Sequence, residues 1–418
     1  MAAGAMFDGR PSLYERTGII MDDLKKRALD YHQFPKPGKL SVDSSKPCAT
    51  QDDLSLAYTP GVAEPVREIH ADPANAYKYT NKGNLIAVIT DGTAVLGLGN
   101  MGALASKPVM EGKAVLFKRF AGIDVFDIEI NAATPDEFIQ TVVNIAPTFG
   151  GINLEDIAAP HCFYIENELK RRLDIPVFHD DQHGTAVIVA AALLNALELQ
   201  GKTLPTAKIV FLGAGAAGCS CAKLLKLMGA TNITMVDRSG VLDTNRADLH
   251  DNNRDLAIAP TNAATLADVM PQADVFIGVS AKNALDAELI KGMAKNPIIF
   301  ALANPDPEIL PSIAHAVRDD ILMATGRSDF PNQVNNALCF PYLFRGALDA
   351  KATKITENMK IAAAKALSEL AREPVPAEIL KAYNLTELKF GKEYIIPKPF
   401  DARLLERVSG AVARAAKE

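Results

Sequence analysis

Neither charge is in marked excess. Lys and Arg number 44 against 50 Asp and Glu, for a formal net charge of -6. That balance supplies no general electrostatic drive toward nucleic acid or anionic lipid, so neither nucleic acid nor a membrane is an expected partner. The one conspicuous basic cluster, Lys170-Arg171-Arg172, reads as a solvated helix face. Cysteine is also scarce. The five cysteines (Cys48, Cys162, Cys219, Cys221, Cys339) are odd in number and scattered, which excludes a disulfide framework and implies a reducing cytoplasm. Cys219 and Cys221 have no second pair to complete a zinc site and read as small helix-packing residues. Met1 to Arg10 shows no basic region followed by an apolar stretch, so no secretory signal is expected. The longest apolar run, Thr185 to Leu194, is shorter than the roughly 20 residues of a membrane span.

What is present is an ordinary globular composition, 48% hydrophobic and 22% charged, in 418 residues. That length exceeds one typical core and predicts two α/β domains with a cleft between them. The boundary is placed at residue 176, giving an N-terminal α/β domain over 1–176 and a dinucleotide-binding domain with a C-terminal helical extension over 177–418. Leu85 to Ile89, Asp91-Gly92 and Ala94 to Leu96 read as a tight hairpin. Ala114 to Phe117 and Val125 to Ile130 read as further strands. Thr134-Pro135-Asp136-Glu137 reads as a capping box opening a helix that runs to about Ile145.

The G-x-G-x-x-G pattern occurs twice, at Gly97 to Gly102 and at Gly213-Ala214-Gly215-Ala216-Ala217-Gly218. Context separates them. Pro108 follows the first too closely for an unbroken helix. The second sits between an apolar strand, Lys208 to Leu212, and a stretch free of proline and glycine that ends before Gly229. A further strand then ends in Asp237, 237 − 218 = 19 residues past the last glycine, near the spacing at which an acid grips a ribose 2′-OH. The expectation is a Rossmann-type, doubly wound parallel sheet, with a dinucleotide pyrophosphate resting on the helix N-terminus. Asp237 favours NAD over NADP, while the adjacent Arg238 offers a 2′-phosphate an alternative partner.

Two acid pairs, Glu155-Asp156 and Asp180-Asp181, each close a short apolar segment. Singly each is a solvated turn; together they suggest a hard divalent cation, Mg²⁺ or Mn²⁺, and the carboxylates outnumber the flanking His179 and His183 that would favour zinc.

These segments resemble the malic enzymes, of the short bacterial type. The likeness is carried by Phe178-His179-Asp180-Asp181-Gln182-His183-Gly184-Thr185-Ala186 and by Tyr58-Thr59-Pro60-Gly61-Val62-Ala63. Thr90-Asp91-Gly92 through Gly97-Leu98-Gly99, Glu111-Gly112-Lys113 and Ala303-Asn304-Pro305 add to it. The resemblance implies oxidative decarboxylation of L-malate to pyruvate and carbon dioxide with NAD or NADP, in a homodimer. By the same similarity Glu155, Asp156 and Asp181 are metal ligands, Lys113 is the base at the C2 hydroxyl, and Tyr58 is the acid that protonates the enol. Asp180 stands behind the lysine and metal, and Asn304 and Asn336 hold substrate or the nicotinamide region. Thr93-Ala94-Val95 stands where larger relatives carry an arginine, and no acetyltransferase-like extension follows Glu418. A malolactic enzyme that retains its cofactor, a non-decarboxylating dehydrogenase and a non-catalytic dinucleotide sensor are the competing readings.

Overall fold

The computed structural model describes residues 13–418, with side chains from residue 23; Met1 to Arg10, over which no secretory signal is expected, lies outside the described residues. The chain divides into two compact units, residues 1–47 and 48–418. The first contains the helix Leu13–Gln33.

The second unit holds two sheets. Strands β1 (Leu85–Thr90), β2 (Asp124–Glu129), β3 (Gly151–Leu154) and β4 (Val177–His179) form an all-parallel sheet in the order β2-β1-β3-β4. Strands β5 (Lys208–Leu212), β6 (Asn232–Asp237), β7 (Gly240–Val241), β8 (Val275–Gly278), β9 (Ile298–Ala301) and β10 (Leu322–Thr325) form the other, in the order β10-β9-β8-β5-β6-β7. Every pairing there is parallel except β6 with the two-residue β7. The strand order reverses between β5 and β8, which is where a doubly wound sheet opens its ligand crevice. By hydrogen bonding the first sheet ends at His179, because Val177 pairs with Ile152 of β3.

Three local expectations fail, each for a non-local reason. The hairpin over residues 85–96 is absent. All six residues of β1 are buried, and a strand covered on both faces calls for parallel neighbours, here β2 and β3. Ala94 to Leu96 is loop, with a single bridge from Val95 to Gly99. Ala114 to Phe117 is not a strand but part of the helix Ala103–Ala121, whose buried residues Met110, Ala114, Phe117 and Ala121 recur at helical spacing. Pro108 does not prevent that helix, which starts directly after the first glycine run. The proline removes one hydrogen bond, and burial of Met110 and Phe117 against the sheet outweighs it.

Other readings hold. Thr134 caps Pro135–Ile145, its hydroxyl accepting from the Glu137 amide at 3.2 Å, although the Glu137 carboxylate reaches the Ala133 amide rather than that of Thr134. All five cysteines are free thiols, with Cys219 and Cys221 buried in a helix. Asp180–Leu199 is one helical stretch long and apolar enough to cross a bilayer, and 72% of its apolar window is buried inside the protein. It is a core helix, flanked by Ala216–Leu227 and Glu357–Leu370. The basic cluster divides: Arg171 and Arg172 pair with Glu168 near the surface, but Lys170 turns to the buried Glu166 at 2.7 Å.

The glycine turn after β5 is steric necessity. A Cβ on Gly218 would stand 1.9 Å from the Gly213 carbonyl oxygen, and Gly213 itself has φ 116°. Gly218→Ala must therefore open the turn, which we expect to cost about 1–3 kcal/mol, the range typical of overpacking. A lowered thermal midpoint together with weakened dinucleotide binding in a fluorescence titration is the outcome that checks it.

Candidate active site

The C-terminal ends of β3 and β4 bring the two acid pairs together. Glu155 and Asp156 follow β3 directly, and Asp180 and Asp181 open a single π-helical turn, Asp180–Gly184, that joins β4 to the core helix Thr185–Leu199. Such turns concentrate at functional sites because they displace one residue out of the helical register. Gly184 is required here: a Cβ would lie 1.9 Å from Asp180 Oδ1.

Glu155, Asp156 and Asp181 each offer a carboxylate oxygen, all within 4.8 Å of one another. Asp156 has φ 53°, a left-handed conformation that Asp tolerates, and donates its backbone amide to Asp181 at 2.8 Å. Its Oδ2 is buried with no hydrogen-bond partner. Burial, and next the charge of Asp181, push the Asp156 carboxyl up to about 7. Burial likewise raises Glu155 well above the carboxylate range, against the pull of Lys113. Three converging acids with an orphaned oxygen fit a divalent cation bound through oxygen.

Lys113, from the Ala103–Ala121 helix, enters this cluster. Its ammonium bonds Asp180 Oδ2 and Glu155 Oε1, the latter at 2.8 Å, and lies 4.7 Å from the centre of the Phe340 ring. Burial alone would lower its pKa, but Asp180 and Glu155 reverse the sign and hold the group protonated. Asn336 fixes Asp180 in turn, donating to Oδ2 at 3.0 Å and to the carbonyl at 3.2 Å while accepting from Thr185. Ala94 of the departing segment Thr93-Ala94-Val95 donates its amide to the Asp156 carbonyl at 2.9 Å. That segment braces the acid loop.

Tyr58 makes no hydrogen bond to the cluster. It ends the helix Gln51–Ala57, is 68% exposed, and its hydroxyl makes no hydrogen bond among the described residues. Asn304 lies exposed in the loop after β9, where its carbonyl fills the space a Cβ on Gly97 would need. The first glycine run thus packs on that loop.

At the second run, β5 ends at Leu212 and the helix Ala216–Leu227 begins with Gly215 at its N-cap, with no atom within 4 Å of the position of a Gly215 Cβ. Its free amides stand at the crevice between β5 and β8. Asp237 closes β6, where its carboxylate already has a partner. Arg246 clamps it through two bonds, at 2.8 and 2.9 Å, and also holds Asp248 at 2.7 Å. Arg238 is exposed.

Sequence reasoning passed over Arg246, nine residues beyond its acid, and Glu166. The Glu166 carboxylate accepts the His179 amide at 3.0 Å and the His183 ring at 2.9 Å, so it clasps both ends of the segment carrying Asp180 and Asp181. No motif marks it.

A doubly wound sheet with a glycine turn at its switch point, beside a half-buried lysine and converging carboxylates, defines a nicotinamide-dinucleotide oxidoreductase. Residues 37–170 match the model of the malic enzyme N-terminal domain and residues 182–384 that of the malic enzyme NAD binding domain. An NADP-dependent malic enzyme of Halomonas elongata is 60% identical over 399 residues, covering 95% of this chain and 94% of that protein. An NADP-dependent malic enzyme of Escherichia coli is 56% identical over 95% of this chain, which spans only 53% of its length. The crystal structure of a malic enzyme from Pyrococcus horikoshii superposes with a TM-score of 0.86 at 44% identity, covering 94% of this chain and 90% of that one. The chain belongs to the malic enzyme family, the NAD(P)-dependent malate oxidoreductases that decarboxylate their substrate.

Crowded acids carry a penalty when nothing offsets their charge. Asp156→Asn, which keeps shape and suits the left-handed backbone, is expected to raise the thermal midpoint of the metal-free protein while abolishing tight Mn²⁺ binding in a paramagnetic-resonance titration. Unchanged Mn²⁺ affinity would remove Asp156 from the ligand set.

Proposed function

We propose that this chain oxidises L-malate at C2 and decarboxylates the product to pyruvate, with Lys113 as base, Asp180 and Asn336 positioning it, and Glu155, Asp156 and Asp181 holding Mg²⁺ or Mn²⁺. The observation that carries this reading is the Lys113 ammonium bonded to Glu155 and Asp180 within a nest of buried acids. Those acids keep the lysine charged. Once their charge is offset, burial dominates, and the amine becomes able to accept the C2 hydroxyl proton. A divalent cation held by Glu155, Asp156 and Asp181 would supply Lewis-acid polarisation of the C2 oxygen, and a dinucleotide held at the Gly213–Gly218 turn would supply the hydride acceptor. Asn336 locks the Asp180 carboxylate, so the lysine is aimed rather than loose. Asn304 stands with the cofactor's nicotinamide end and the substrate.

Protonation of the enol falls to Tyr58. Its exposure, shared with Leu54, Leu56 and Val66, supports the homodimer as the working form: a second copy would cover this apolar stretch, and the tyrosine acts in the assembled enzyme. We place the enzyme in the cytoplasm, in keeping with its free thiols.

For the cofactor we propose NADP. Asp237 alone favours NAD, but Arg246 bridges it to Asp248, and by turning from either carboxylate its guanidinium can receive a 2′-phosphate. Arg246→Ala should then lower kcat/KM for NADP by at least tenfold and leave that for NAD little changed. An equal loss with both cofactors would return the preference to the acid.

An assay with malate, Mn²⁺ and each dinucleotide tests the reaction itself: reduced cofactor should appear with pyruvate, in equal amounts. Lactate accumulating without net reduced cofactor would replace this reading with the malolactic one. Lys113→Ala should reduce kcat by about 10²–10⁴-fold, as loss of a general base does, with dinucleotide binding retained.

A further inference from the structure

Behind the turn that carries Asp180 and Asp181 lies a cavity of about 270 Å³, between the helices His161–Arg172, Ala216–Leu227 and Glu357–Leu370. Glu166, Lys170, Gln182, His183, Lys223 and Lys360 line it. Lys113, Glu155, Asp156, Asp181 and the turn Gly213 to Ala217 do not, so the cavity is separate from both sites described above.

Its charges do not cancel. Glu166 pairs with Lys170 at 2.7 Å, and Glu357 with Lys360 at 2.6 Å. Lys360 also reaches His183 Nδ1 at 3.2 Å, so that nitrogen is an acceptor and the opposite one, 2.9 Å from Glu166, carries the proton. Two lysines thus answer two glutamates. Lys223 is left over, half-buried and without an ion pair among the described residues.

A second observation is independent of that balance. Gln182 is 3% exposed and its amide Nε2 has no hydrogen-bond partner. A buried donor is rarely left unmade, since the omission costs about 1–3 kcal/mol. Here the unmet donor belongs to a residue lining the same cavity as the unpaired ammonium.

We propose that this cavity is a binding site for a small dianion, of the inorganic phosphate or short dicarboxylate class, received by Lys223, Lys170, Lys360 and the Gln182 amide. Lysines bind such groups as point charges that need no fixed fork geometry. The volume falls just below the roughly 300–1,000 Å³ of pockets for drug-sized ligands, which suits a compact occupant. The site abuts the acid-bearing turn from the rear, sharing with it the Glu166 and His183 that clasp its ends.

Calorimetric titration tests this on the full-length protein saturated with NADP, which fills the glycine turn and the Arg246 site beforehand. Inorganic phosphate is the probe in one arm and succinate in the other, with ionic strength held constant by chloride so that general screening is equal. One saturable site is expected, and the tighter-binding probe identifies the source of the dianion. Lys223→Met should weaken that probe at least tenfold, and Lys223→Arg, which keeps the charge, should restore most of its affinity. Absence of saturable binding in both arms, or binding unaltered by Lys223→Met, overturns the proposal. Binding is read without turnover, so a protein that failed to oxidise malate would leave this result standing on its own.

Discussion

Like charge in a dry place governs this molecule. Glu155, Asp156 and Asp180 are buried together with Asp181 beside them, and among the described residues a single ammonium, that of the half-buried Lys113, bonds into them. Mutual repulsion at low dielectric would scatter such a group unless the backbone forbade it. Two parallel strands, a π-helical turn and a glycine without room for a methyl forbid it here. Glu166 bolts both ends of that turn, Asn336 fixes the innermost carboxylate, and the amide of Asp156 ties one acid loop to the other. The arrangement stores repulsion that a divalent cation relieves, which is the usual exchange of stability for chemistry at an active site.

The dinucleotide side follows a different logic, in which backbone shape does the work and charge arrives late. Gly213 and Gly218 approach each other too closely for any side chain, and the Ala216–Leu227 helix then presents free amides. Only at the end of β6 does charge enter, as a carboxylate already clamped by Arg246. The acid that marks the ribose position is therefore only half of a pair, and the pair reads differently from the acid alone.

This contrast explains what was legible in the sequence. The strand–turn–helix around Gly213 is built from contacts within about thirty residues, and its signature survives in one dimension. The acid pairs were equally plain, because each sits where a strand ends. Legibility failed where a decision depends on distant neighbours. Burial of β1 on both faces, which excludes a hairpin, is known only once β2 and β3 flank it. Ala114 to Phe117 is a four-residue apolar run that suits strand or helix until its partners at Met110 and Ala121 are seen on one face. Lys360 meets His183 across 177 positions, and Glu166 looks like any helix glutamate until the turn folds over it. Tyr58 stands out by its motif, yet its exposure within the protomer has no counterpart in the local pattern.

The turn that holds Asp180 and Asp181 runs without interruption into a largely buried helix, Thr185–Leu199. A helix turns by about 100° per residue, given 3.6 residues per turn. Inserting or deleting a single residue in its first turns would rotate the two acids away from Glu155 and Asp156, or else rotate the whole apolar surface out of register with the helices Ala216–Leu227 and Glu357–Leu370. Neither error can be absorbed locally. The length of chain from Asp180 through this helix is thus fixed by two demands at once, the aim of the acids and the seating of the apolar surface.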